Sequence, residues 1–460
     1  MERTIGQDIA TSEKIDQLIK ELSNEVLRQS QRITGVKDAD PNLVANADAR
    51  RKHIGALRGR PLYHQYVGSS VGKGPYVELE DGSIKLDLIN GIGIHVMGHS
   101  HPKLIETAIR ASLSDIIMQG NLQPNGEYLA LTERLVNIAS KNSRLKYAWL
   151  ATCGTMANES ALKIARQKNS PAKMVVAFQD AFAGRSTLMA EITDNPAYKV
   201  GLPSYNEVLR LPFCKATAGK ACYEDVLRKL KEYYAQHEKN IACFVFEPMQ
   251  GEGGFRYGTK EFFVPLLEFC REKHIAVWAD EVQTFTRTGQ LFAFETLGIG
   301  NYIDICTIAK TVQTGATLYT EEYNPQPGLI AGTFSGSTVS LAVGNEILRI
   351  LSEEGYLGVE GKIQKIHKNF VDMLNDLAAG SCKGLLSDAG GLGLMVAVTP
   401  YDGTKQKTED LIKRLFNNNM VAFGCGKDPY RIRFLLPAVM EEKDIEVAKK
   451  ILEKSLLEGR

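Results

Sequence analysis

The sequence predicts an α/β protein: a large domain on a mostly parallel sheet, joined to a smaller α+β domain. Three observations carry this. From about residue 100 to 345, helical segments alternate with short apolar runs, as expected of buried parallel strands covered by helices. Beyond about residue 345 that alternation gives way to longer helices with scattered strands. The 460-residue chain is 44% hydrophobic and 24% charged, so it can bury a large core and disorder is excluded as its main state.

In chain order, residues 12–33 place Ile15, Leu18, Ile19, Leu22, Val26 and Leu27 at helical spacing on one face. Residues 41–67 are mixed and basic, and read as connecting structure. Gly74-Pro75 opens a strand over 76–80, Asp81-Gly82 turns, and 84–89 returns. Asp-Gly between two strand-like runs marks a hairpin. Helices are expected near 103–113, 126–141, 155–169, 222–236, 259–273 and 339–353. Strands are expected at 148–151, 174–178, 241–246, 275–279 and 303–308. The C-terminal part offers helices at 359–378, 407–418 and 441–456, and strands at 393–398 and 431–435. No internal repeat or low-complexity tract interrupts the pattern.

Lys and Arg total 55 against 54 Asp and Glu, a formal charge of +1. No global basic excess exists for nucleic acid or an anionic membrane. The eight cysteines include no C-x-x-C pair, and Cys243 and Cys306 sit in apolar runs. They read as buried reduced thiols of a reducing compartment. The N-terminus has no apolar signal region, and no apolar stretch approaches the ~20 residues of a membrane span. A cytoplasmic protein is expected. Asn158-Glu159-Ser160 matches a glycosylation sequon but falls on a helical segment.

The informative pattern is positional. Polar and glycine residues gather just after the expected strands, where α/β sheets bind ligands. Gly154-Thr155 leads into a helix, so free amides and the positive dipole end suit an anion such as phosphate. Asp280 follows the apolar run IAVWA, and Lys310 follows CTIA. A strand-end lysine, a strand-end acid and a phosphate-suited turn together match the needs of pyridoxal phosphate (PLP). The amine condenses with the aldehyde as a Schiff base, and the acid keeps the pyridine nitrogen protonated.

At these residues the sequence resembles the class III aminotransferases, PLP enzymes of the aspartate-aminotransferase fold (fold type I). The resemblance runs from about Gly74 to the C-terminus. It rests on GIGIHVMGHSHPKLIETA (91–108), CGTMANESALKIAR (153–166), FAGRS (182–186), FEPMQGEGG (246–254), ADEVQTFTRTGQLFAFE (279–295), IDICTIAK (303–310) and GTFSG (332–336), in family order. Asp280 stands 30 residues before Lys310, the family spacing. The resemblance implies a mostly parallel seven-stranded sheet in a large PLP-binding domain over 96–345. Residues 1–95 then form an N-terminal helical arm and part of the small domain, and 346–460 the C-terminal small domain.

The resemblance also implies roles. Lys310 carries the cofactor and moves the proton, and Asp280 pairs with the pyridine nitrogen. Gln283 contacts the phenolic oxygen, while Phe182 and Val282 cover the two ring faces. Gly154 and Thr155 hold the phosphate. Thr333 reaches the phosphate of a neighbouring subunit, which requires a homodimer with shared active sites. Arg185 would bind the distal carboxylate of 2-oxoglutarate and Arg433 the α-carboxylate. Glu252 would pair with Arg433 when an amine donor lacks that carboxylate. Planar guanidinium forks suit a dicarboxylate held at both ends, and a buried Arg needs a counter-charge when its ligand is absent.

The resemblance thus implies a ping-pong ω-aminotransferase passing an amino group from a 4-aminobutyrate, ornithine, acetylornithine or lysine type of donor to 2-oxoglutarate. Met156, Ala183, Thr311–Thr314 and Ser337–Thr338 depart from the family pattern; none removes catalytic machinery, and together they weaken assignment to the best-known ornithine and acetylornithine branches. An aminomutase or decarboxylase of the same fold would share Lys310 and Asp280. Arg185 with Glu252 and Arg433 favours transfer, because a mutase needs no acceptor. A non-catalytic binding relative has no need to keep Lys310, Asp280 and Gln283 together. The Gly91-Ile92-Gly93 segment lacks the third glycine spacing of a dinucleotide fingerprint, and Gly68–Lys73 is one residue short of a P-loop. His99-x-His101 lacks a Cys or Asp cluster for zinc.

Overall fold

The computed structural model describes residues 3–62, 64, 66–115 and 122–459. Its central sheet has seven strands, in the order Tyr147–Ala151, Gly315–Tyr319, Ile305–Ile308, Ala276–Asp280, Ile241–Phe246, Met174–Phe178, Val208–Leu211. Gly315–Tyr319 runs antiparallel to both neighbours, and the other pairs are parallel. Ile241–Phe246 and Ala276–Asp280 are buried along their whole length, which is why they read as unbroken apolar runs. Trp278, at the sheet centre, is fully buried and donates its indole N–H to Thr307 Oγ1 at 3.0 Å. Its truncation to Ala would cost about 3–5 kcal/mol.

All five strands expected over 148–308 are present, with ends moved by two residues or fewer. Two members of the sheet carry weaker signals. Val208–Leu211 has four residues and contains Arg210. Gly315–Tyr319 begins directly after the turn at Lys310–Val312, with no helix between to announce a new strand.

Two further sheets bring the ends of the chain together. Gly68–Lys73, Tyr76–Leu79 and Ile84–Asp87 form an antiparallel meander, and Met420–Val421 joins its edge parallel to Ile84–Asp87. Leu386–Leu392, Met395–Pro400, Arg431–Leu435 and Phe423–Cys425 form an antiparallel sheet. Helices Lys362–Ala379, Lys405–Asn417 and Glu442–Leu457 pack on this region.

Two expectations are corrected. Residues 41–67 are not simply connecting structure, because Pro41–Leu57 is a helix (Tyr63 and Gln65 lie outside the described residues). Its apolar residues lack helical spacing, but its start is written in the sequence. Asp40 accepts from the Asn42 amide at 2.9 Å, and Pro41 occupies the first turn, a helix-opening pair. The cysteines are not all buried thiols either. Cys214 and Cys222 form a disulfide and Cys153 is exposed, while Cys243, Cys270, Cys306, Cys382 and Cys425 are free and buried. Cys214 and Cys222 are therefore not the reduced thiols expected of a reducing compartment. Among the described residues no helix is long and apolar enough to cross a membrane.

Candidate active site

The carboxyl ends of the central strands open onto a cavity of about 430 Å³. Gly154, Thr155, Phe182, Glu252, Asp280, Val282, Gln283 and Lys310 all line it. Residues from five separate loops, chosen from the sequence, therefore meet in one place.

The helix Gly154–Lys168 starts at this cavity without a side-chain cap. Its first amides and its dipole face the opening, an arrangement suited to an anion. Gly154 permits this approach, since a Cβ there would lie 2.8 Å from Val282 Cγ1. Gly184, at φ 131°, lets its loop cross Thr155, whose Oγ1 would stand 2.6 Å from an added Cβ.

Asp280 ends its strand and is 5% exposed. Its Oδ1 accepts from the Val282 amide at 3.0 Å, and its Oδ2 accepts from Asn158 Nδ2 at 2.7 Å. Burial pushes its pKa up to about 6, against the pull of those two donors and of Lys310. Asn158 also donates to the Ala183 carbonyl at 2.7 Å, and its Oδ1 is buried without a partner. Its place in a sequon gave no hint of this. The signal was its position one turn into the anion-suited helix.

Lys310 opens the turn Lys310–Val312 with φ 57°, a left-handed conformation that costs a non-glycine residue about 1 kcal/mol. Its low-dielectric surroundings, then the positive charges of Arg287 and Arg433, bring its amine down to about 8, although Glu252 and Asp280 pull the other way. Arg287 lies within the 279–295 segment, and nothing local in the sequence marks a role for it. It is 1% exposed, and burial lowers its pKa to about 9. It donates to the carbonyls of Gln283 (2.8 Å) and Gly93 and to Thr311 Oγ1 (2.8 Å). One side chain thus ties the 281–285 turn to the residue beside Lys310.

Glu247 was also missed. Its Oε1 accepts from the Phe182 amide at 3.1 Å and its Oε2 from the Gly251 amide at 2.9 Å. It clamps the loop carrying Phe182 to the loop carrying Glu252. Burial, then the negative charge of Asp280, pushes its pKa up to about 8.

Glu252 accepts from Arg433 Nη2 at 2.8 Å. Arg433 is 3% exposed, and its Nε and Nη1 are buried with no partner. Arg185 lies outside the cavity lining, on the exposed side of its loop. Its guanidinium carbon sits 3.9 Å over the Tyr198 ring. Thr333 is exposed beside Phe334 and does not reach the cavity of its own chain.

The family model for aminotransferase class-III matches residues 63–456. The chain belongs to the class III aminotransferases. A probable 4-aminobutyrate aminotransferase of Bacillus subtilis (strain 168) is 30% identical over 409 residues, covering 84% of this chain and 92% of that protein. A 2-aminoadipate transaminase of Pseudomonas putida is 31% identical over 408 residues, covering 85% and 95%. A solved lysine aminotransferase from M. tuberculosis superposes with TM-score 0.79 at 21% identity, over 89% of this chain and all of that one. This last likeness shows the fold.

As a class III aminotransferase, the chain is a transaminase that uses PLP. The cavity fits that group on its own evidence. The uncapped helix start suits the phosphate, and the buried Asp280 carboxylate suits a pyridinium nitrogen. Gln283 lines the same space, and its Oε1 is buried and unpartnered. The Lys310 amine faces the same space.

Proposed function

We propose that this transaminase moves the amino group of an ω-amine or amino acid to 2-oxoglutarate by a ping-pong mechanism. The donor class is that of 4-aminobutyrate, ornithine, acetylornithine or lysine. The observation that carries the reading is the Glu252–Arg433 pair at 2.8 Å, with two further Arg433 nitrogens left unpartnered. An arginine that can exchange a protein carboxylate for a substrate carboxylate suits an enzyme alternating between donors with and without an α-carboxylate. Relatives named as 4-aminobutyrate and acetylornithine aminotransferases support the donor class.

When bound, PLP accepts the amino group and stabilises negative charge at the substrate carbon. The residues do the rest. Gly154 and Thr155 hold the phosphate, and Phe182 and Val282 cover the ring faces. Gln283 meets the phenolic oxygen. Asp280, oriented by Asn158, keeps the ring nitrogen protonated. Lys310 holds the cofactor in the resting enzyme, and its Nζ then carries the proton to and from the substrate carbon. An amine brought down to about 8 is a competent base near neutral pH. Arg185 receives the distal carboxylate of 2-oxoglutarate and Arg433 the α-carboxylate.

A homodimer with shared sites belongs to the same proposal. Thr333 faces outward beside Phe334, which is 47% exposed, and Ile92, Ile94 and Met156 are also exposed. A second copy would cover these apolar groups and bring its Thr333 to the phosphate. In the same reading the chain divides near residues 95 and 345 into an N-terminal arm, a large cofactor-binding domain and a C-terminal small domain. A panel of amines assayed with 2-oxoglutarate for glutamate tests the reaction. Glutamate from at least one donor is expected, and none from any donor would overturn the reading.

A further inference from the structure

We infer that Tyr198 is a positioning residue for the acceptor: its ring is the platform that holds the Arg185 guanidinium ready for a distal carboxylate. The inference rests on the reading of Arg185 as the distal-carboxylate residue.

Arg185 sits 3.9 Å over the Tyr198 ring, and no acidic side chain pairs with it among the described residues. Stacking against an aromatic face uses the guanidinium plane and leaves its N–H donors at the edges free. An arginine held by a carboxylate would instead have to surrender that partner before taking a substrate. Arg433 is held in that second way, by Glu252. The two arginines therefore differ in kind: Arg433 is gated by a competing charge, and Arg185 is parked with its donors open.

The platform is fixed to the loop it serves. The Asp194 amide donates to the Ala181 carbonyl at 2.8 Å, and Asp194 Oδ2 accepts from the Asp180 amide at 2.8 Å. Thr193 Oγ1 accepts from the Ala183 amide and donates to the Gly184 carbonyl, both at 3.0 Å. Asn195 then accepts from the Ala197 amide at 3.1 Å and starts the short turn Pro196–Tyr198. Four hydrogen bonds thus lock residues 193–194 to 180–184, the segment that carries Phe182 and leads into Arg185. The Tyr198 ring also meets Phe182 edge to face, with centroids 6.2 Å apart. Fixing a long arginine side chain in advance removes part of the entropy cost of binding a carboxylate.

The test uses holoenzyme and two probes. The first is glutarate, a dicarboxylate with no keto group, whose Kd is read by calorimetry. The second is the ratio of kcat/KM for 2-oxoglutarate over pyruvate, which lacks the distal carboxylate. Tyr198→Leu should weaken glutarate and lower the ratio by about three- to tenfold, the size of a cation–π contact. Tyr198→Phe keeps the ring face and should restore both to within twofold. A general loss of structure would lower both acceptors together and leave the ratio unchanged, which overturns the inference. So would equal loss in Tyr198→Phe, which would place the effect in the hydroxyl. Arg185→Ala separates the two levels. If it weakens glutarate but Tyr198→Leu does not, the platform fails and the Arg185 reading stands. If Arg185→Ala leaves glutarate unchanged, the Arg185 reading fails and the platform with it.

Discussion

Glu252 and Arg433 lie 181 residues apart in the chain, and the carboxylate accepts from the guanidinium at 2.8 Å. Glu252 comes from the loop after a central strand, and Arg433 from the antiparallel sheet of the C-terminal region. Their meeting ties that loop to the C-terminal sheet, and in the proposed reaction it is this ion pair that opens to a substrate carboxylate.

That pair predicts a change of preference in Glu252→Ala. Arg433 then has no competing carboxylate, so glutamate gains access and a donor lacking an α-carboxylate meets an uncompensated charge. The ratio of kcat/KM for glutamate over the ω-amine should rise about tenfold. An unchanged ratio would remove the gate from the mechanism.

Asn158→Ala should weaken PLP without removing Lys310 chemistry. The substitution takes one donor from the buried Asp280 carboxylate, which raises its pKa further and loosens its hold on the ring nitrogen. Losing a hydrogen bond to a buried charge costs about 1.5–3 kcal/mol, so PLP affinity should fall roughly ten- to a hundredfold. Asn158→Asp should be worse, since it adds a second acid beside Asp280. Equilibrium dialysis of PLP checks both, and wild-type affinity in Asn158→Ala would count against the assigned role of Asp280.

Glu247 predicts a pH effect on the apoenzyme. Its folded pKa, about 8, lies above the ordinary 4.5. The folded form therefore binds the proton more tightly than the unfolded form. That stability is fully present below about pH 4.5 and is lost as pH rises through about 8. Glu247→Gln keeps a neutral side chain and should abolish this part of the profile. Apoenzyme Tm, measured from pH 5 to 9, should fall more steeply in wild type than in the variant. Parallel profiles would show that the carboxyl does not titrate there.

Lys310 predicts the pH dependence of cofactor uptake. Only the neutral amine attacks an aldehyde, and this amine titrates near 8 rather than 10.5. The rate of PLP capture by apoenzyme should rise about tenfold per pH unit below 8 and level above it. Arg287→Met removes a nearby cation and should move the midpoint upward. A midpoint near the ordinary lysine value in wild type would contradict the environment described for Lys310.

Much of this site was legible because chemistry sits at strand ends. Asp280 and Lys310 each close an apolar run, and Gly154-Thr155 opens a helix; singly each has an ordinary structural reading, and their combination is what pointed to a cofactor. Arg433 and Glu252 needed the family resemblance, since nothing local distinguishes a buried arginine from a surface one. Asn158, Glu247 and Arg287 stayed hidden for a common reason: each has a partner far along the chain. Asn158 reaches Asp280 across 122 residues, and Arg287 reaches Gly93 across 194. In the fold, Ile241–Phe246 announced itself by continuous burial. Leu386–Leu392, polar and glycine-rich with an irregular register, did not. The helix Pro41–Leu57 lacked apolar periodicity, and only Asp40-Pro41 marked it.

In the proposed reaction Lys310 drives amino transfer to 2-oxoglutarate. The most direct measurement incubates holoenzyme with 2-oxoglutarate and each of four 15N-labelled donors: 4-aminobutyrate, ornithine, N-acetylornithine and lysine. Mass spectrometry then follows the label into glutamate. Labelled glutamate is expected from wild type with at least one donor, and none from Lys310→Ala. Labelled glutamate from Lys310→Ala at the wild-type rate, or none from wild type with any donor, would contradict it.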